Sequence, residues 1–149
     1  MKTEPVDPTR WVGRTFVLPD AHRRRISVSV HYLEKMAVLL EGLLRRDSPS
    51  MVTEDIEESF TEEQRSKMLV VLGEIRSGIN DMVRTFNLEP AKRSESQIVL
   101  AQVTHLWTIL IDSQSKTMRG FGELPEGVAL ALDPRVGKLI ELLDELRAG

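Results

Sequence analysis

The sequence predicts an all-α protein, a four-helix bundle in antiparallel arrangement with an extended N-terminal arm, and three observations carry that prediction. Hydrophobic residues make up 41% of the 149 residues but aromatics only 5%, so the core must be aliphatic. Apolar residues recur in alternating steps of four and three, which lines one face of a helix. Capping residues stand before these segments, and glycine, asparagine or proline stands after them. A chain of this length buries roughly 70% of the surface that its unfolded form exposes, enough for a core without a disulfide or structural metal. The absence of cysteine excludes a disulfide framework, Cys-ligated zinc or iron–sulfur sites, and thiol catalysis.

Residues 1–19 read as an extended arm, because Pro5, Pro8 and Pro19 fix φ and restrict the residue before each of them. Trp11, Phe16, Val17 and Leu18 are too apolar to stay in water, so the arm is expected to lie across the bundle or across a neighbouring subunit. The first helix is expected over about 20–46, from Asp20 as N-cap, with the stripe Ile26, Val30, Leu33, Ala37, Leu40 and Leu44. Ser27, His31, Glu34, Glu41 and Arg45 fall on another face and read as solvated.

From Asp47 to Glu63 the chain carries seven acids and no Lys or Arg, which marks a linker. Its end matches the capping-box spacing twice, as Ser59 with Glu62 and as Thr61 with Gln64. A second helix over about 61–87 repeats the stripe in Met68, Leu72, Ile75, Ile79, Met82 and Phe86, and Asn87 followed by Pro90 stops it. Gly73 and Gly78 inside it each cost about 1 kcal/mol relative to Ala, which marks either close approach of another backbone or bare tolerance.

Ser94 with Gln97 opens a third helix, expected over 95–119 and ended by Gly120. Ile98, Val99, Leu100, Val103, Leu106, Trp107, Ile109 and Leu110 cover nearly every direction around it, so it is expected at the centre of the assembly or at a subunit interface. The connection over 119–133 is punctuated by Gly and Pro, and its apolar end, Val128 to Leu132, reads equally as a helical turn or a strand. Asp133 and Pro134 read as N-cap and first position of a last helix over 134–147. Residues 20–149 are thus expected to form a single helical-bundle domain.

No stretch reaches the roughly 18 apolar residues of a membrane span, and the first residues carry acids and prolines where a signal peptide has an apolar core. A cytoplasmic chain without membrane contact is the expectation. The net charge of −3 is a sum of unlike blocks: +4 over 1–46 (9 basic, 5 acidic), −7 over 47–63, +3 over 64–121 (8 and 5) and −3 over 122–149 (3 and 6). Nucleic-acid binding is not expected from a negative chain with no aromatic or Gly-rich binding motif. The Arg23, Arg24 and Arg25 run, with Arg10 and Arg14, is expected instead to meet the acidic linker, within one chain or between subunits.

Gln102, His105 and Asp112 form a polar strip on the otherwise apolar third helix. A buried His beside a carboxylate can act as a base or hold a ligand between helices, and the competing reading is a core histidine satisfied by hydrogen bonds. None of His22, His31 and His105 has an acid three residues before it, so no di-iron motif is present and neither metal nor cofactor is expected. His31 with Lys35 loosely resembles the histidine and basic residue of histidine phosphotransfer domains, and Arg24 or Arg25 with His31 loosely resembles the Arg-spacer-His motif of helical nucleases. No family membership is drawn from either. The function expected is therefore non-enzymatic: an interaction or oligomerisation protein, binding a second copy as a homodimer or a helical partner, with Trp11, Phe16 and Trp107 at the interface. The alternative is a small-molecule-binding or catalytic bundle that uses Gln102, His105 and Asp112.

Overall fold

The computed structural model describes residues 13–149, so Trp11 lies outside the described residues. All regular structure among them is helical: α1 (Asp20–Leu44), α2 (Glu62–Thr85), α3 (Glu95–Asp112), the single-turn α4 (Ser115–Met118) and α5 (Val128–Ala148), with a 3₁₀ turn at Arg119–Phe121. The chain divides after Pro90 into two compact units. The first holds α1 and α2, and the second holds α3, α4 and α5.

In the first unit part of each expected stripe of α1 and α2 is turned inward, whereas Leu33, Leu40 and Met68 of those stripes stay exposed. Ala37, Leu44 and Leu72 are buried together, with Leu69 and Ile75 packed against them. The helices run antiparallel, since Arg65 in the first turn of α2 donates from Nη1 to the carbonyl of Leu44 in the last turn of α1, at 2.9 Å. At the other end of the pair, Phe16 N–H donates to the carbonyl of Thr85 at 2.7 Å, and its ring lies 6.0 Å from that of Phe86. This part of the arm thus closes the far end of the hairpin of its own chain.

The helix ends follow local chemistry. Thr61 and Gln64 form the capping box at α2, with bonds of 3.1 and 2.9 Å, and Ser94 with Gln97 repeats it at α3. Of the two candidate boxes before α2, the one at Thr61 is formed. Asn87 stops α2 with a positive φ of 48°, and the amide of Leu88 then reaches back to the carbonyl of Val83. α1 ends in the same way at Arg46, φ 60°, with Asp47 N–H bonded to Gly42 O at 2.8 Å. Asp20 is the first helical residue rather than the cap, and its carboxylate accepts from Arg23 at 2.6 Å.

The second unit departs from expectation in two places. α3 ends at Asp112, not at Gly120, and the chain turns at Ser113 and Gln114 before starting α4. α5 starts at Val128, six residues before the expected position, so Val128 to Leu132 is helical and Pro134 lies inside the helix. Asp133 does not cap its own helix; its carboxylate accepts from the backbone N–H and the hydroxyl of Ser115, at 2.9 and 2.6 Å, and thereby caps α4. Gly127, at φ 83°, supplies the turn that lets α5 begin earlier. The proline lacks the N–H that would bond the carbonyl of Leu130, a residue 84% exposed. The Ser115–Asp133 contact also shows that α3 and α5 are antiparallel, because it joins the end of one to the start of the other.

Candidate functional site

The helical repeat divides each hairpin into an inner seam, two flanks and outer faces. In the first unit one flank is polar, with Glu41 and Arg76 paired across it at 3.3 Å. The opposite flank is apolar and open, formed by Leu33, Met36 and Leu40 of α1 with Met68 and Val71 of α2. In the second unit the seam carries Val103 and Val136, the only residues of α3 and α5 that are buried. Val99, Leu106 and Ile109 of α3 lie on one flank. In an antiparallel pair Leu139, Leu142 and Leu146 of α5 lie on that same side. All six are two-fifths to three-fifths exposed. A patch of six such side chains is on the order of several hundred Å², the scale at which exposed apolar surface marks an interaction site.

α3 is therefore not surrounded by protein within its unit: it packs on α5 along one seam and leaves its remaining apolar residues open. Trp107 is 41% exposed, on the flank opposite to Leu106. Gln102, His105 and Asp112 are exposed as well, His105 and Asp112 on the part of α3 turned away from the seam and Gln102 between Leu106 and Ile109 on the flank. His105 and Asp112 are seven residues apart, about 10 Å along the axis, which is too far for the imidazole and carboxylate to bond. The strip is thus solvent-exposed. Sequence periodicity placed the three residues on one side of the helix, but burial needed knowledge of what packs there.

Two concavities occur elsewhere. One of 430 Å³ lies between Arg119 and Leu130. The other, of 710 Å³, is formed where the acidic linker folds back on the end of α1, with Leu43, Leu44, Ile56 and Phe60 in its wall. Neither touches Gln102, His105 or Asp112. The larger is held by an ionic cluster that the sequence did not single out. Arg46 donates to Glu58 and to Glu62, each at 2.6 Å. The hydrogen bond from Arg46 holds the Glu62 carboxyl below the usual glutamate range. Arg65 lies behind, its side chain only 9% exposed, 3.9 Å from Glu62 and with no hydrogen-bond partner at Nε. The legible signal was the contrast between seven acids in the linker and arginines at both of its ends.

Among the described residues no three His, Asp or Glu side chains converge as a metal site requires, and no helix is long and apolar enough to cross a membrane. His31 and Lys35 are exposed on α1. No family model, curated protein or solved structure matches the chain.

Proposed function

We propose that this chain is a non-enzymatic helical interaction protein that pairs with a second copy of itself as a homodimer. The observation that supports this reading is the apolar flank of the second unit, where Val99, Leu106 and Ile109 stand beside Leu139, Leu142 and Leu146, all substantially exposed. Transfer of apolar surface from water is worth about 25 cal/mol per Å², so covering such a flank is favourable. A twofold pairing suits it, because the same flank on each copy then supplies both halves of the interface. A helical partner of another sequence would need an apolar stripe of the same kind. The ligand-binding or catalytic reading of Gln102, His105 and Asp112 gains no support, since neither concavity reaches those side chains.

The test is sedimentation equilibrium at micromolar concentration on the wild type and on the double variant Leu139→Asp and Leu142→Asp. The wild type is expected to be a dimer and the variant a monomer of unchanged helix content by circular dichroism. A monomeric wild type would overturn the proposal, and so would a folded variant that dimerises as tightly as the wild type.

A further inference from the structure

The outer side of α1, turned away from α2, carries a second feature. At the helical repeat Arg24, Arg25, Val28, Tyr32, Lys35 and Leu39 share this face, and no acid falls on it, since Asp20, Glu34 and Glu41 all lie elsewhere around the helix. Val28, Tyr32 and Leu39 are 69%, 67% and 62% exposed. Among the described residues Arg24, Arg25 and Lys35 pair with no carboxylate; Arg24 has only the backbone carbonyl of Asp20, at 3.4 Å. The stripe is thus basic, apolar and uncovered.

The acidic linker has the complementary character. Among the described residues Glu54, Asp55 and Glu57 make no ion pair, whereas Glu58 and Glu62 are taken by Arg46. Beside them Met51, Val52 and Ile56 are exposed. Three unpaired anions among three exposed apolar residues face, in composition, three unpaired cations among three exposed apolar residues. The lengths agree as well: residues 51–57 can extend over about 20 Å, and Arg24 to Lys35 spans about 16 Å of helix.

The linker cannot cover the whole of this face on its own α1: Lys35, about 16 Å from Arg46, is within its reach, but Arg24 and Arg25 are not. It leaves the helix at Arg46 and is fastened back to Arg46 by Glu58. Twelve residues that go out and return reach at most about 20 Å. Arg24 lies about 33 Å down the helix from Arg46. We propose that the outer face of α1 binds the acidic segment 51–57 of a second copy of this chain. Each copy carries both halves, so two reciprocal contacts close a twofold dimer. This inference rests on the self-association proposed above and adds a charge-steered contact to its apolar one.

Charge exchange tests it. In sedimentation velocity, the dimer is expected to weaken about tenfold or more between about 50 mM and 500 mM salt. The triple variants R24E/R25E/K35E and E54K/D55K/E57K are each expected to weaken it about tenfold, and one chain carrying all six changes to recover affinity to within about threefold of the wild type. All six sites are exposed, and circular dichroism checks that each variant is folded. A zero-length carbodiimide cross-link from Lys35 to Glu54, Asp55 or Glu57 is expected in the dimer band. If the six-fold variant stays as weak as either triple variant, the inference fails. It also fails if neither triple variant nor salt alters a dimer that Leu139→Asp with Leu142→Asp still dissociates; self-association through the second unit then stands. A monomeric wild type overturns both proposals. Binding of the wild type to phosphatidylserine vesicles, lost in R24E/R25E/K35E without change in self-association, would assign the face to a membrane instead and overturn this inference.

Discussion

The two helix pairs solve the same problem with different means. In the first, polar contacts tie the helices beyond the apolar seam: Arg65 reaches the carbonyl of Leu44, Arg76 pairs with Glu41, and Arg46 gathers Glu58 and Glu62. In the second, the contact beyond the seam is the Ser115–Asp133 cap, and Val103 and Val136 are the buried residues of the two helices. The difference shows where each pair draws its order. The first pair is tied by several polar contacts between its helices and the second by one, while both leave apolar side chains of their flanks exposed.

The comparison is broken most strongly at the first seam. Replacing Leu72 by Ala removes a buried side chain at the centre of the cluster and is expected to cost about 2–4 kcal/mol in chemical denaturation. Hydrogen exchange should then quicken throughout α1 and α2. Val103→Ala in the second unit removes less volume and is expected to cost about 1–2 kcal/mol. Arg65→Met tests the polar tie. It strips the Leu44 carbonyl of its donor but also removes a buried Nε that has no partner, so a loss of about 1–2 kcal/mol is expected by the same denaturation assay.

A change in the opposite direction is expected at Gly73. A Cβ there meets nothing within 4 Å, and the same holds at Gly78, so these glycines serve no close backbone approach. Gly73→Ala is expected to stabilise by up to about 1 kcal/mol, read as a raised melting temperature.

The smallest effect is local to the second unit and depends on pH. Hydrogen bonds from the Ser115 hydroxyl and amide hold the Asp133 carboxyl below the ordinary aspartate value of 3.8. A depressed acid contributes stability that is present above its unfolded value and lost as pH falls through its folded one. Exchange protection at the Ser115 amide is therefore expected to hold at neutral pH and to decline below pH 3.8, and Asp133→Ala should abolish it at neutral pH. Protection unchanged in that variant would show that α4 does not depend on this cap.

Much of the fold was legible because its signals are short-ranged. The capping boxes at Thr61 and Ser94 join residues three apart, the stop at Asn87 depends on that residue's own φ, and each stripe repeats within a helix. The same locality explains the error at Asp133. Followed by proline, it has the form of an N-cap, but its carboxylate bonds to Ser115, 18 residues away, and that partner appears only when α3 and α5 are side by side. Arg65 follows the same rule, since its burial depends on the end of α1, 21 residues earlier.

The candidate site divides likewise. Sequence alone determined that α3 is apolar in nearly every direction, that Gln102, His105 and Asp112 share one side, and that charges are segregated into basic and acidic blocks. Tertiary structure decided which apolar side chains α5 covers, that the polar strip stays exposed, and that the linker is fastened at Arg46 beyond reach of Arg24 in its own chain. Periodicity fixes the direction of a side chain around its own helix axis, whereas burial and pairing depend on groups brought from elsewhere in the chain.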